Sequence, residues 1–72
     1  MSVSKYYSTL NKRARKAKNG MALNWVSMKA QRKCDEYMRN PNIKRSVKEQ
    51  VHRLNARVQD TVERRKMQLY RR

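Results

Sequence analysis

Acid–base chemistry would have to come from five carboxylates: Asp35, Glu36, Glu49, Asp60 and Glu63. A proton-transfer or hydrolytic site needs two such groups, or one beside a base or nucleophile, within mutual reach. Asp35 and Glu36 are adjacent, so their side chains diverge on a helix. Most of the acids have a basic residue one helical turn away: Asp35 with Arg39, Glu49 with Arg53, Asp60 with Arg64, and Glu63 with Lys66. Pairs at that spacing stabilise a helix by about 0.3 kcal/mol each, which accounts for the acids without catalysis. His52 falls on a polar helix face with no partner at metal-ligand spacing, and reads as solvated. Cys34 falls in an apolar stripe and reads as a buried small hydrophobe rather than a reactive thiol. With one Cys, one His and one Gly, the chain can hold no internal disulfide, zinc finger or glycine-rich phosphate loop. The expectation is a protein with no catalytic site, metal or cofactor.

The cations are organised as the acids are not. Lys12, Arg13, Arg15, Lys16 and Lys18 put five positive charges into seven residues. Such a run can be a solvated helix face or an import signal, but it also suits phosphate contact, where each neutralised phosphate releases counterions. Further on, Arg53, Arg57, Arg64 and Arg71 step by 4, 7 and 7, which places them on one flank of a helix together with Asp60. Arginine matches phosphate oxygens and base edges bidentately where lysine cannot. Lys29 and Arg32 lie near Trp25 and Met28, two apolar residues that fall off the stripe of their own helix. Trp25 could stack a base or anchor a partner protein. The preferred reading is that this side of the helix is a second buried face. Tyr70, beside Arg71-Arg72, is a further aromatic–basic pairing to which no role is assigned.

Charge over the whole chain points the same way. Twenty Lys and Arg against five Asp and Glu give a net charge of +15 and a pI near 11.0. Self-repulsion on that scale is relieved by a polyanion, and nucleic acid is the commonest one inside cells. A mean hydropathy of −1.22 adds that part of the chain could order only on its partner.

The elements that must position these residues are helices. Apolar residues recur at 3–4 spacing throughout, and only Asn19-Gly20 and Asn40-Pro41-Asn42 interrupt them. Three helices are predicted, at about 3–18, 22–39 and 41–70. Their stripes are Val3, Tyr7, Leu10, Ala14 and Ala17; then Leu23, Val26, Ala30, Cys34 and Tyr37; then Ile43, Val47, Val51, Leu54, Val58 and Val62. Ser2 or Ser4 caps the first helix, and Gly20 suits a left-handed residue closing it. Asn40 caps the third with Pro41 in its first turn, or Ser46-x-x-Glu49 forms a capping box one turn later. Arg65 sits inside the third stripe, so packing should stop near Val62 and leave the last turns projecting. The fold class is all-α: one small domain over residues 1–72, with two shorter helices on a long C-terminal helix. Completion by dimerisation stays open.

A short turn between the second and third helices satisfies one requirement of a helix-turn-helix, but the third helix is too long and the turn has no glycine. The closing run Arg64-Arg65-Lys66-Met67-Gln68-Leu69-Tyr70-Arg71 resembles the ends of tiny helical proteins of the bacterial small ribosomal subunit. It covers about a tenth of the chain and assigns no family. The expected function is non-enzymatic nucleic-acid binding, with DNA and RNA both open. The alternative is a small basic inhibitor or adaptor that docks on an acidic patch of a larger protein, with Trp25 and Met28 as its hot spot. A membrane-active cationic peptide is disfavoured, since no apolar run approaches the roughly 18 residues of a span and the stripes can satisfy one another. The start of the chain has no apolar signal-peptide core. The expected location is therefore intracellular, in cytoplasm or nucleoid.

Overall fold

Ser2 opens the first helix: its Oγ accepts from the Lys5 backbone N–H at 3.2 Å, so one of the two predicted caps is used. The computed structural model describes residues 2–71 as three helices, α1 (Val3–Lys16), α2 (Gly20–Arg39) and α3 (Arg45–Tyr70), with no strand among them. The two shorter helices pack on the long C-terminal one. The particle measures 46 × 19 × 16 Å, an elongated shape set by the 26-residue α3, which is about 39 Å long at 1.5 Å per residue.

The three stripes meet as predicted. Tyr7, Leu10, Ala14 and Ala17 close on Leu23, Val26, Ala30 and Cys34 and on Val51, Val58 and Val62, all of them buried. Val and Ala dominate, so the helices approach closely and the core is thin. Two polar devices fix how they align. The buried Tyr7 hydroxyl donates to the Ala30 carbonyl at 2.7 Å and ties α1 to α2. Between α2 and α3, Ser27 Oγ donates to Gln59 Oε1 at 2.6 Å, and Gln59 Nε2 donates to Ser27 O at 3.0 Å and Asn55 Oδ1 at 3.1 Å. Asn55 Nδ2 completes the ladder by donating to Gln31 Oε1 at 3.2 Å. A half-satisfied buried amide costs about 1–3 kcal/mol, so sliding α2 along α3 is penalised and one register is selected.

Both links differ from the sequence expectation. Gly20 does not end α1 in a left-handed conformation; it is the first residue of α2, and Asn19 is the cap, its Oδ1 accepting from Ala22 N–H at 2.9 Å. Asn-Gly serves either end of a helix, and here the N-cap bond decides. α1 stops at Lys16 because Ala17 turns extended (φ −62°, ψ 136°), and Arg65 Nε donates to its carbonyl at 2.9 Å.

The start of α3 is also corrected. Asn40 is the C-cap of α2, and Pro41 lies in the turn rather than in a helix. A residue before proline is pushed out of helical geometry, and Asn40 sits at φ −84°, ψ 112°. Its Oδ1 then accepts from Asn42 N–H at 2.9 Å. Lys44 precedes α3 with no side-chain cap, and Glu49 pairs with Arg45 at 3.4 Å instead of closing a box with Ser46. Ile43 consequently lies in the turn.

Packing does not stop at Val62. Leu69 rests against the core, and the half-buried Arg65 spans to the end of α1. The Tyr70 ring lies over Gly20, where a Cβ would meet its hydroxyl. The last turns of α3 therefore cover the α1–α2 link.

Candidate nucleic-acid interface

The five cations of the α1 run are all exposed, but they do not share a face. At about 100° per residue, Lys12 and Lys16 point outward together, while Arg13 and Arg15 turn to opposite sides. Arg13 reaches α2, with its guanidinium carbon 5.2 Å from the Trp25 ring centroid. Arg15 reaches α3 and lines a cleft of about 260 Å³ with Thr61, Arg64, Arg65 and Gln68. Lys18 stands in the α1–α2 link.

The α3 ridge borders the same seam. Arg57 lines a groove of about 270 Å³ between α1 and α3, beside Ser4, Ser8 and Asn11. The Asn11 Oδ1 is buried there with no hydrogen-bond partner among the described residues. Two turns further on comes Arg64, which borders both the Arg15 cleft and the next hollow, and two turns beyond it Arg71, which lines that hollow with Met67 and Tyr70. Arg53 departs from this line: it borders a hollow on the α2 side, with Met38, Lys48 and His52. Arg57 and Arg64 thus join α1 residues along one seam, and Arg71 continues their line where α3 runs on past α1. Arg72 lies outside the described residues.

Carboxylates blunt the seam in one place. Asp60 Oδ2 stands 3.0 Å from Arg64 Nε, as the spacing predicted. The pair is exposed, and such pairs are worth about 0–1 kcal/mol, so a phosphate can compete with Asp60 for the guanidinium. The other three expected pairings, Glu49–Arg53, Asp35–Arg39 and Glu63–Lys66, are not among the ion pairs of the described residues. Glu49 turns back to Arg45, leaving Arg53 without an acidic partner among the described residues, while Glu36, for which no partner was expected, takes Lys33 at 3.5 Å. Asp35 accepts from Gln31 Nε2 at 3.0 Å rather than pairing with Arg39.

Arg65, Thr61 and Gln68 are the seam residues that the sequence reading missed. Arg65 interrupts the apolar stripe of α3. Its position in that stripe is the signal that could have found it, because a guanidinium on a core edge needs acceptors, and the end of a preceding helix supplies them. Its Nε is committed to Ala17 O and its Nη1 to Gln68 Oε1 at 3.1 Å, so it anchors one wall of the cleft.

No family model matches this chain, and neither a curated protein nor a solved structure does. The site therefore rests on its own geometry.

On the other side of the molecule, Trp25 is not part of a second buried face, and the reading that made it core is corrected. It is 40% exposed, and Lys29 Nζ stands 5.5 Å from its centroid in addition to Arg13. The half-buried Ser27 and the buried Cys34 turn inward, the exposed Gln31 reaches Asn55 at the edge of α3, and this leaves Trp25, Met28 and Arg32 turned outward. Cys34 is buried, where its stripe put it, and burial pushes its thiol above the ordinary value. His52 is exposed. Among the described residues no group of three or more His, Cys, Asp or Glu could hold a metal ion, and no helix is long and apolar enough to cross a membrane.

Proposed function

We propose that the protein binds nucleic acid without catalysis, through phosphate contacts made by the α1–α3 side. One observation carries this reading: Arg15 from α1 and Arg57 and Arg64 from α3 line two hollows between these helices, and Arg71, just past the end of α3, continues the arginine row beyond them. Lys12 and Lys16 on the outward face of α1 extend the positive surface beside it. From Arg57 to Arg71 the ridge runs about 21 Å, the rise of roughly six base pairs on one strand, so its arginines can meet phosphates along a groove edge. An all-helical, arginine-rich surface suits recognition by shape and backbone charge better than stacking of single-stranded bases. The chemistry is common to DNA and RNA, and it carries with it an intracellular place of action.

The test is a binding series against duplex DNA and a structured RNA over a range of salt. If about six phosphates are neutralised on duplex DNA, log K falls against log salt with a slope near −5. That slope, with unequal affinity for the two nucleic acids, supports the reading and selects the ligand. Absence of binding at physiological salt contradicts it.

A further inference from the structure

Met21, Trp25 and Met28 step by 4 and 3 along α2 and share its outer face, opposite Leu23, Ala30 and Cys34. They are 83%, 40% and 49% exposed. In a chain whose core is mostly Val and Ala, the largest aromatic residue is outside the core, and a methionine flanks it on each side. The placement is held from two helices, since Arg13 of α1 and Lys29 of α2 both lie over the indole. Arg32 stands one turn beyond Met28 on the same face. The result is a short apolar strip anchored by an oriented tryptophan, with a rim that is basic along Arg13, Lys29 and Arg32 and turns mixed beyond Arg32, where Asp35, held by Gln31, and Glu36, paired with Lys33, share a hollow with it.

We infer that this face of α2 docks an acidic amphipathic helix of another protein. Three features select that occupant. The strip covers about two turns, or roughly 10 Å, the length over which a facing helix presents apolar residues at positions i, i+3, i+4 and i+7. Trp is the residue type that most often carries binding energy, and flexible methionines adapt to the side chains they meet. The rim of Arg13, Lys29 and Arg32 attracts carboxylates and repels a second copy of this chain, which would bring the same rim and another +15 charges. A nucleobase fits less well: the two cations lie over the ring on which it would stack, and methionine has no donor for a base edge. This surface and the α1–α3 seam belong to different sides of the molecule, so the inference does not depend on the nucleic-acid reading.

The experiment uses the full chain and follows the emission of Trp25, its one tryptophan. The probe is a synthetic helical peptide with leucines on one face and glutamates elsewhere, and the control is a scrambled peptide of identical composition. The expected result is a blue shift of Trp25 with the amphipathic peptide and affinity at least about tenfold above the scrambled one. The double variant Met21→Ser, Met28→Ser, which keeps the tryptophan, should lose about tenfold in peptide affinity while its thermal unfolding and duplex binding stay unchanged. Equal affinity for the two peptides, an unshifted Trp25, or an unaltered double variant would overturn the inference. So would sedimentation of the free chain as a dimer that the double variant dissociates, or displacement of the peptide by a short oligonucleotide.

Discussion

The α1–α3 seam and the outer face of α2 are both exposed and both cationic, yet their arginines are used in opposite ways. Along the seam, Arg15, Arg57 and Arg64 border open hollows and have few acceptors inside the protein. On α2, Arg13 and Lys29 lie over an indole, so part of their charge is spent on holding an apolar side chain in place. Net charge alone does not distinguish the two surfaces. The distinction comes from what stands beside each cation: polar groups and empty space on one side, Trp25 and two methionines on the other.

The sharpest way to break this comparison is to remove cations from one face at a time. Arg15→Ala, Arg57→Ala and Arg64→Ala together should lower duplex affinity about 100-fold and make the log–log salt slope shallower by about 2.7. Removing three cations elsewhere, at Arg39, Lys44 and Arg45, should change it far less. If the two triple variants weaken binding equally, the seam is not a site and only bulk charge matters.

Next comes the frame that keeps the faces apart. Asn55→Ala leaves Gln31 and Gln59 without their shared partner and should destabilise the fold by about 1–3 kcal/mol in chemical denaturation. Tyr7→Phe removes the bond to Ala30 O and should cost about 1 kcal/mol. Because α1 carries both Arg13 and Arg15, loosening it should weaken both surfaces, whereas loss at one surface alone would show that α1 is held by other contacts.

Alkaline pH probes the same interior more gently. Burial raises the Cys34 thiol above 9.0 and the Tyr7 phenol above 10.0. The unfolded chain releases these protons at the ordinary values, so above about pH 9 the folded state holds more protons and its stability falls as pH rises further. Below that range the contribution of both groups is fully present. The Tyr7→Phe, Cys34→Ala double variant should flatten the alkaline decline measured by denaturant midpoints.

The smallest effect is expected at Trp25. Trp25→Ala gives up two exposed cation–π contacts and should cost no more than about 1–2 kcal/mol of stability, with duplex binding unchanged. A loss of duplex affinity in that variant would merge the two surfaces into one.

Much of the architecture was legible in the sequence because the apolar spacing is regular. Every residue of the α1 and α2 stripes except Val3 and Tyr37 is buried, and those two pack at the margin. The helix ends were less legible, because their signals are degenerate. Asn19-Gly20 can close one helix or open the next, and Asn40-Pro41 looks like an N-terminus while proline's effect on its neighbour ends the helix before it. The seam was half legible. Arg57, Arg64 and Arg71 follow from periodicity within α3, but the approach of Arg15 depends on how α1 rolls against α3, which tertiary packing decides. Trp25 was misplaced for a related reason. Its periodicity set it apart from the stripe, but the choice between a second buried face and solvent depends on which face α1 turns toward α2. The face it presents there brings Arg13 rather than a core residue to the ring.

The most direct test of the central claim is the salt dependence of duplex binding by the intact chain and by its Arg15, Arg57, Arg64 triple alanine variant, measured side by side. The account predicts a slope near −5 for the intact chain and about 2.7 shallower for the variant, with unchanged helicity. Parallel slopes, or no binding by the intact chain at physiological salt, would contradict it.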